Sequence, residues 1–378
     1  MASLTSGAGF RSLGQTTARV MVLNAARRGA LGRSLLVYGP PGAGKGAFVE
    51  DLLALLMCTA ADRESRPCNA CRGCRGARAG SHPDLVLGSA ERWRAMRSTG
   101  ESIVAAARRW LGEAAGAPIA ADRRVILIND ADLAGEPIQN ALLKALEEPS
   151  DRHIFILVAT DPGRLLPTIL SRCQPLRVGA VPRVELAAWL GDHERLPADQ
   201  ADALARLAGG LTGRAAAYAR DPDLLAWRRR LQAELLSLLS RGRADRFGSV
   251  RDLLEEASRR TGATSSAVGE ADTADDGDPA MVRATSAVQR AGAASIVEIW
   301  LSLARDLLVA RGGLPSAADS AEIHPDLAAI AARLSIPELA GFTRLLQRIA
   351  QGLADNAAPR LALEVAMLAW PVLESPDG

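Results

Sequence analysis

The stretch that most limits what this chain can fold into is Leu35-Leu36-Val37-Tyr38-Gly39-Pro40-Pro41-Gly42-Ala43-Gly44-Lys45-Gly46. An apolar run leads into glycine-bearing turns and a lysine, and Ala47-Phe48-Val49-Glu50-Asp51-Leu52-Leu53 follows at helical spacing. That order predicts a buried strand, a loop whose backbone N–H groups can face an anion, and a helix whose positive end adds to the attraction. Gly39, Gly42 and Gly44 supply the loop's freedom, and Lys45 would reach the outer phosphates. Only two of the 45 Lys and Arg residues are lysine, so a lysine at this point is not a product of composition.

The following position breaks the pattern. A loop that works on a nucleoside triphosphate carries a Ser or Thr hydroxyl there as a magnesium ligand, and Gly46 has no side chain to offer. A third apolar strand, 124–128, ends in Asn129-Asp130, where a hydrolase places one acid for the metal and a second for water. The first of these is the neutral Asn129, and Asp130 is shorter than the customary Glu. Two metal-holding positions are lost together, which favours a domain that keeps the fold and holds ATP and magnesium weakly or not at all.

Four of the five cysteines fall within 17 residues as Cys58-x9-Cys68-x2-Cys71-x2-Cys74. Short gaps let neighbouring thiolates turn toward one centre while the longer loop brings in the fourth, the arrangement tetrahedral zinc requires. An iron–sulfur cluster and unligated thiols are the alternatives. A closed four-thiolate site leaves no position open for substrate, so its expected role is structural. Cys173 reads as a small buried residue. His82, without an orienting partner in sequence, reads as a turn histidine.

Apolar runs at 35–38, 85–87, 124–128 and 154–159, with a fifth strand candidate at 170–178 entered through a polar turn, alternate with helical patterns, one of which, near residue 16, is expected to be capped by Thr16 or Thr17. This predicts an α/β domain with a parallel sheet over 1–180, with the cysteine array inserted at 58–74. A small helical lid over 181–221 and an all-α domain over 222–378 follow. A Gly-, Ser-, Thr- and Asp-rich stretch at about 261–280 reads as a mobile loop. The net charge of +2 singles out neither nucleic acid nor a membrane surface as partner. No leader and no apolar run near 18 residues is visible, so the expectation is a soluble, cytoplasmic protein with no membrane partner.

These stretches together resemble the delta-prime subunits of bacterial DNA polymerase III, in the clamp-loader branch of the AAA+ proteins. The resemblance rests on Gly14-Gln15, the loop at 39–45, the four-cysteine array, Ser81-His82-Pro83-Asp84, Asn140-Ala141-Leu142-Leu143-Lys144-Ala145-Leu146-Glu147-Glu148-Pro149 and Ser171-Arg172-Cys173. Asn356-Ala357-Ala358-Pro359-Arg360-Leu361-Ala362-Leu363-Glu364 resembles the entry to the last helix of the family's collar domain. The resemblance implies a five-subunit ring that opens a sliding clamp and places it on primed DNA. Gamma/tau and delta subunits would be partners through the collar and AAA+ domains, and primer-template DNA would be met through the complex. It further implies that Arg172 reaches in trans into a neighbour's ATP site, and that Thr160 and Arg214 occupy positions that sense the γ-phosphate and are vestigial here. An ATP-hydrolysing gamma/tau-like subunit is the alternative.

Overall fold

The computed structural model describes residues 9–147, 150–266, 279–314, 326–355 and 357–373. The chain divides into two compact units, Met1–Ala219 and Arg220–Gly378.

The first unit is organised by β1 Ser34–Tyr38, β2 Leu85–Gly88, β3 Arg124–Ile128, β4 His153–Ala159 and β5 Gln174–Arg177. All pair in parallel, in the order β2-β3-β4-β1-β5. The continuous apolar runs of β1, β3 and β4 follow from burial on both faces, and central β4 is buried along its whole length. One face is covered by α1 Thr16–Arg27 and α2 Lys45–Leu56, through Val22, Phe48, Leu52 and Val158. The other is covered by α4 Ala90–Ala95, α5 Ile103–Ala114, α6 Glu136–Glu147 and α7 Pro167–Leu170, through Trp93, Trp110, Leu142 and Ile169. The short α3 Arg72–Arg78 closes the cysteine segment and runs on past Cys74. α8 Arg183–His193, α9 Ala198–Leu207 and α10 Thr212–Arg220 share a small core of Leu186, Leu190, Ala205 and Ala215.

Several expectations are corrected. Neither Thr16 nor Thr17 caps α1; the cap position is Gln15, in the left-handed region at φ 56°, with no side-chain cap bond. Its amide is engaged elsewhere, donating to the Gly179 carbonyl at 2.8 Å and accepting from the Gly179 N–H at 3.0 Å. The fifth strand candidate at 170–178 narrows to β5 at Gln174–Arg177: Leu170 closes α7, and Ser171-Arg172-Cys173 form the expected polar turn before the strand. Helices α3 and α4 were not expected.

The second unit consists of α11 Pro222–Ser237, α12 Arg243–Ser266, α13 Pro279–Arg311, α14 Leu327–Ala332, α15 Ile336–Ala354 and α16 Pro359–Ala369. Trp227, Leu235, Trp300, Phe342, Leu363 and Trp370 lie in one apolar core. Buried Arg246 satisfies the end of α16, donating to the Met367 carbonyl at 3.2 Å and the Pro371 carbonyl at 2.8 Å. Of the loop expected at 261–280, residues 261–266 belong to α12 and 279–280 to α13, while 267–278 lie outside the described residues. Glu148, Pro149 and Asn356 lie outside them too. Among the described residues, no helix is long and apolar enough to cross a membrane.

Candidate functional site

The phosphate-type loop joins β1 to α2 at the carboxyl end of the sheet, where open α/β sheets bind ligands. Gly42 and Gly44 hold φ of 76° and 89°, a region that side chains with a Cβ rarely adopt. The Lys45 ammonium folds back over the loop, donating to the Gly39 carbonyl at 2.7 Å, the Pro40 carbonyl at 3.2 Å and Thr160 Oγ1 at 3.2 Å. Burial lowers its pKa from the usual lysine range, against the raising pull of Asp132 and Asp130. Asp130, in the left-handed region at φ 49°, has its carboxyl raised by burial first and by the Asp132 charge second, with Lys45 opposing.

The start of α10 sits directly on this loop. Gly42 O accepts from Gly213 N at 2.8 Å and Arg214 N at 3.1 Å, and Thr212 Oγ1 donates to Ala43 O at 3.0 Å. Backbone N–H groups at that helix start, the kind that attract anions, are thus taken up by a protein carbonyl. Gly39, Gly42, Gly44, Lys45, Asp130, Thr160 and the Arg214 backbone therefore converge. Gly46 opens into free space: a Cβ built there meets nothing within 4 Å.

Arg172 lies at the other end of the sheet. Gln174 pairs with Leu35 and Arg177 with Tyr38, so Gln174 stands four residues, roughly 13 Å, short of the level of Gly39, and Arg172 precedes it. Buried Ile169 and Cys173 pin the turn from below, leaving Ser171 and Arg172 exposed. The Arg172 guanidinium donates to the Thr168 carbonyl at 2.9 Å and pairs with Glu147 at 2.8 Å.

The thiols of Cys58, Cys68, Cys71 and Cys74 lie within 4.8 Å of one another and could hold a metal ion. Three backbone N–H groups point at these sulfurs: Cys68 N to Cys58, Cys71 N to Cys68 and Cys74 N to Cys71, at 3.3–3.4 Å. Burial opposes ionisation of Cys71, yet hydrogen bonds from Cys74 and Thr59 outweigh it and hold the thiol down at about 5, while burial pushes Cys74 up. Gly73 is needed because a Cβ there would meet the Met57 carbonyl oxygen at 1.9 Å.

Sequence reasoning missed the residues that brace these parts. Fully buried Asp51 accepts from Arg11 N at 2.9 Å and Ser12 N at 2.8 Å, and pairs with Arg78 at 2.7 Å. Its signal was present: it falls between Phe48 and Leu55 on the buried stripe of α2. Buried Asp132 accepts from Thr160 N at 3.0 Å and Asp161 N at 2.8 Å, fixing the turn that offers Thr160 to Lys45. Buried Gln139 donates to the Ala134 and Arg164 carbonyls and accepts from Leu166 N, setting the approach to the Arg172 turn. His82 accepts from Asp84 N at 3.1 Å, in keeping with a turn role.

A parallel sheet of this order, a phosphate-type loop after β1 and a helical segment set on that loop define an open α/β domain of the nucleotide-binding type. Residues 14–181 match the family described as DNA polymerase III, delta subunit. The chain is 35% identical over 180 residues to DNA polymerase III subunit delta' of Pseudomonas aeruginosa, covering 46% of this chain and 52% of that protein. It is 33% identical over 190 residues to the Escherichia coli subunit delta', covering 49% and 53%. The Escherichia coli subunit tau is 31% identical over 170 residues, covering 45% and 25%. Among solved structures, a DNA polymerase III gamma subunit-related protein of Thermotoga maritima covers 94% of this chain and 97% of its own at 17% identity and a TM-score of 0.38. The chain spans about half the length of the curated relatives it matches. Through its α/β domain the chain is similar to the DNA polymerase III delta' subunits.

Proposed function

We propose that this chain is a delta-prime-type subunit of a clamp loader, which helps place a sliding clamp on primed DNA without hydrolysing ATP itself and lends Arg172 to a neighbouring ATPase subunit. Gamma/tau and delta subunits would be its ring partners, with the α-helical second unit and the AAA+ domain as contact surfaces. The observation that carries the reading is the separation of Arg172 from the chain's own phosphate loop. A guanidinium at the amino end of the sheet cannot serve a loop at the carboxyl end, so any phosphate it meets belongs to another chain. Its exposed pair with Glu147 is worth no more than about 1 kcal/mol, so leaving it is easy. An always-charged planar guanidinium then stabilises charge on the transferring phosphoryl group, a contribution of about 10³ to 10⁵ in rate for such residues.

The chain's own loop supports the non-hydrolysing role. Gly46 and Asn129 stand where magnesium ligands would be, and α10 covers Gly42. Lys45 keeps the means for weak phosphate binding. The four cysteines would hold a structural zinc. Zinc–sulfur bonds of about 2.3 Å put tetrahedral thiolates about 3.8 Å apart, which suits sulfurs this close.

The test is ATP turnover by the isolated chain and by the reconstituted complex. The expected results are no magnesium-dependent turnover alone and, for Arg172→Ala, an assembled complex whose ATPase at the adjoining site falls about 10³-fold or more. Turnover by the isolated chain that Lys45→Ala abolishes would establish the gamma/tau-like alternative. Unchanged ATPase in the Arg172→Ala complex would remove that residue from the mechanism.

A further inference from the structure

We infer that the first unit carries a second anion site, at the amino end of its sheet beside the cysteine module, that takes a single phosphate-type oxyanion. A half-open cavity of about 150 Å³ lies there between the end of α1, the end of α2, the 59–67 segment and the turn into β3. Arg63, Arg66 and Arg123 line it, with Asp122 the one acid among the lining residues. Three guanidiniums against one carboxylate leave an excess of two positive charges around a space that holds only a few water-sized groups.

The surrounding charges show why this cluster stands apart. Two arginines nearby are neutralised: Arg27 pairs with Glu64 at 2.8 Å, and Arg78 with Asp51 at 2.7 Å. Among the described residues, none of Arg63, Arg66 and Arg123 is ion-paired, and Arg63 and Arg123 donate no side-chain hydrogen bond. Arg66 is preset, its Nε donating to the Ala60 carbonyl at 2.7 Å, which leaves the rest of its fork for a ligand. The last carbonyls of α1 do not absorb these charges, because the N–H groups of Arg28, Gly29 and Ala30 already bond the Asn24, Ala26 and Ala25 carbonyls. Planar guanidinium forks match the oxygens of a tetrahedral oxyanion two at a time. The cavity falls short of the roughly 300 Å³ or more of a small-molecule pocket, so its volume suits a single phosphate group.

The experiment is calorimetric titration of the full chain with inorganic phosphate at low ionic strength. The chain carries Lys45→Ala, so that phosphate held by the loop at 39–45 does not contribute. The expected result is saturable binding at one site per chain, weakened at least tenfold by Arg63→Gln and by Arg123→Gln with unchanged far-UV circular dichroism. Asp122→Asn should tighten it severalfold, a gain that a folding defect cannot imitate. No saturable binding up to about 10 mM phosphate, or affinity unmoved by all three substitutions, would overturn the assignment. Displacement of phosphate by a short single-stranded oligonucleotide at equal phosphate concentration would overturn it in favour of a nucleic-acid contact.

Discussion

Helix α2 has a site at each end, and the two have opposite characters. At its amino end the loop from Gly39 to Lys45 keeps its shape and its cation but lacks the metal-binding side chains expected at Gly46 and Asn129. At its carboxyl end the four cysteines keep a full donor set, with three backbone N–H groups aimed at the sulfurs. Between them Asp51 ties α2 to Arg78 of α3 and to the backbone at Arg11 and Ser12. A phosphate loop is made mostly of backbone, so its geometry survives the loss of catalytic side chains. A metal centre made of side chains persists only when all of them are retained. The difference teaches that a backbone-built loop can keep its shape where side-chain ligands are missing, while the thiol cluster still holds all four donors it would need for a metal.

The sharpest way to break this comparison is to empty the cysteine end. Cys74→Ser, at a fully buried position, or a strong chelator should cost more than about 5 kcal/mol, because binding free energy at a structural zinc is folding free energy. The purified chain should contain one metal equivalent, and chelation should open the 58–78 segment to proteolysis. A chain that purifies metal-free and melts at the same temperature with and without chelator would show that the thiols hold nothing.

Asp51 tests whether the two ends are mechanically joined. Asp51→Ala leaves Arg78, only 10% exposed, without its counter-charge, and should cost about 3–5 kcal/mol in urea unfolding. Replacing both partners by apolar residues should restore much of that loss. If Asp51→Ala unfolds at the same urea concentration as the parent chain, the brace is not holding the module.

The next effect is smaller and depends on pH. Burial alone would raise the Asp84 carboxyl, but the N–H groups of Ile119, Ala120 and Ala121, at 2.6–2.7 Å, bring it below its usual range. The folded group therefore ionises at lower pH than the unfolded one, near 3.9. Its contribution is fully present above about pH 4 and is lost as pH falls through the folded value. Asp84→Asn should cost about 1.5–3 kcal/mol at pH 7 and progressively less below pH 4. A cost that stays constant with pH would contradict the assignment of charge to this carboxyl.

What could be read in advance divides along the same lines. The loop at 39–45, the cysteine array and the apolar strand runs are local patterns, legible because period and spacing are set within fewer than about 20 residues. The bracing contacts are not local. Arg78 lies 27 residues from Asp51, Gly179 lies 164 residues from Gln15, and Thr212 meets Ala43 across 169 residues. The misread α1 cap has this origin: the hydroxyls of Thr16 and Thr17 were plausible local partners, and the fold uses the Gln15 amide for a distant strand end instead. The lack of large apolar residues at 261–280 predicts a loop there. The neighbouring α12 and α13 nonetheless extend into both of its ends, carried by helices already packed along their length.

The finest test asks whether the loss at the amino end of α2 is confined to two side chains. Gly46 faces open space, so Gly46→Thr introduces a hydroxyl without a clash, and it removes a glycine from a helix, worth a few tenths of a kcal/mol. Asn129→Asp restores a carboxylate at an exposed position after β3. If the scaffold is otherwise competent, the double substitution should make ATP binding magnesium-dependent and tighten it about tenfold, near 1.4 kcal/mol, as measured by fluorescent-nucleotide titration. Lys45→Ala on that background should remove the gain, since the ammonium must leave the Gly39 carbonyl to meet the phosphates. If the double variant binds no better, the bonds from Gly213 and Arg214 to Gly42 O are the next point of attack, because they hold α10 on the loop whatever stands at position 46. Loss of the site would then lie in a closed lid as well as in missing ligands.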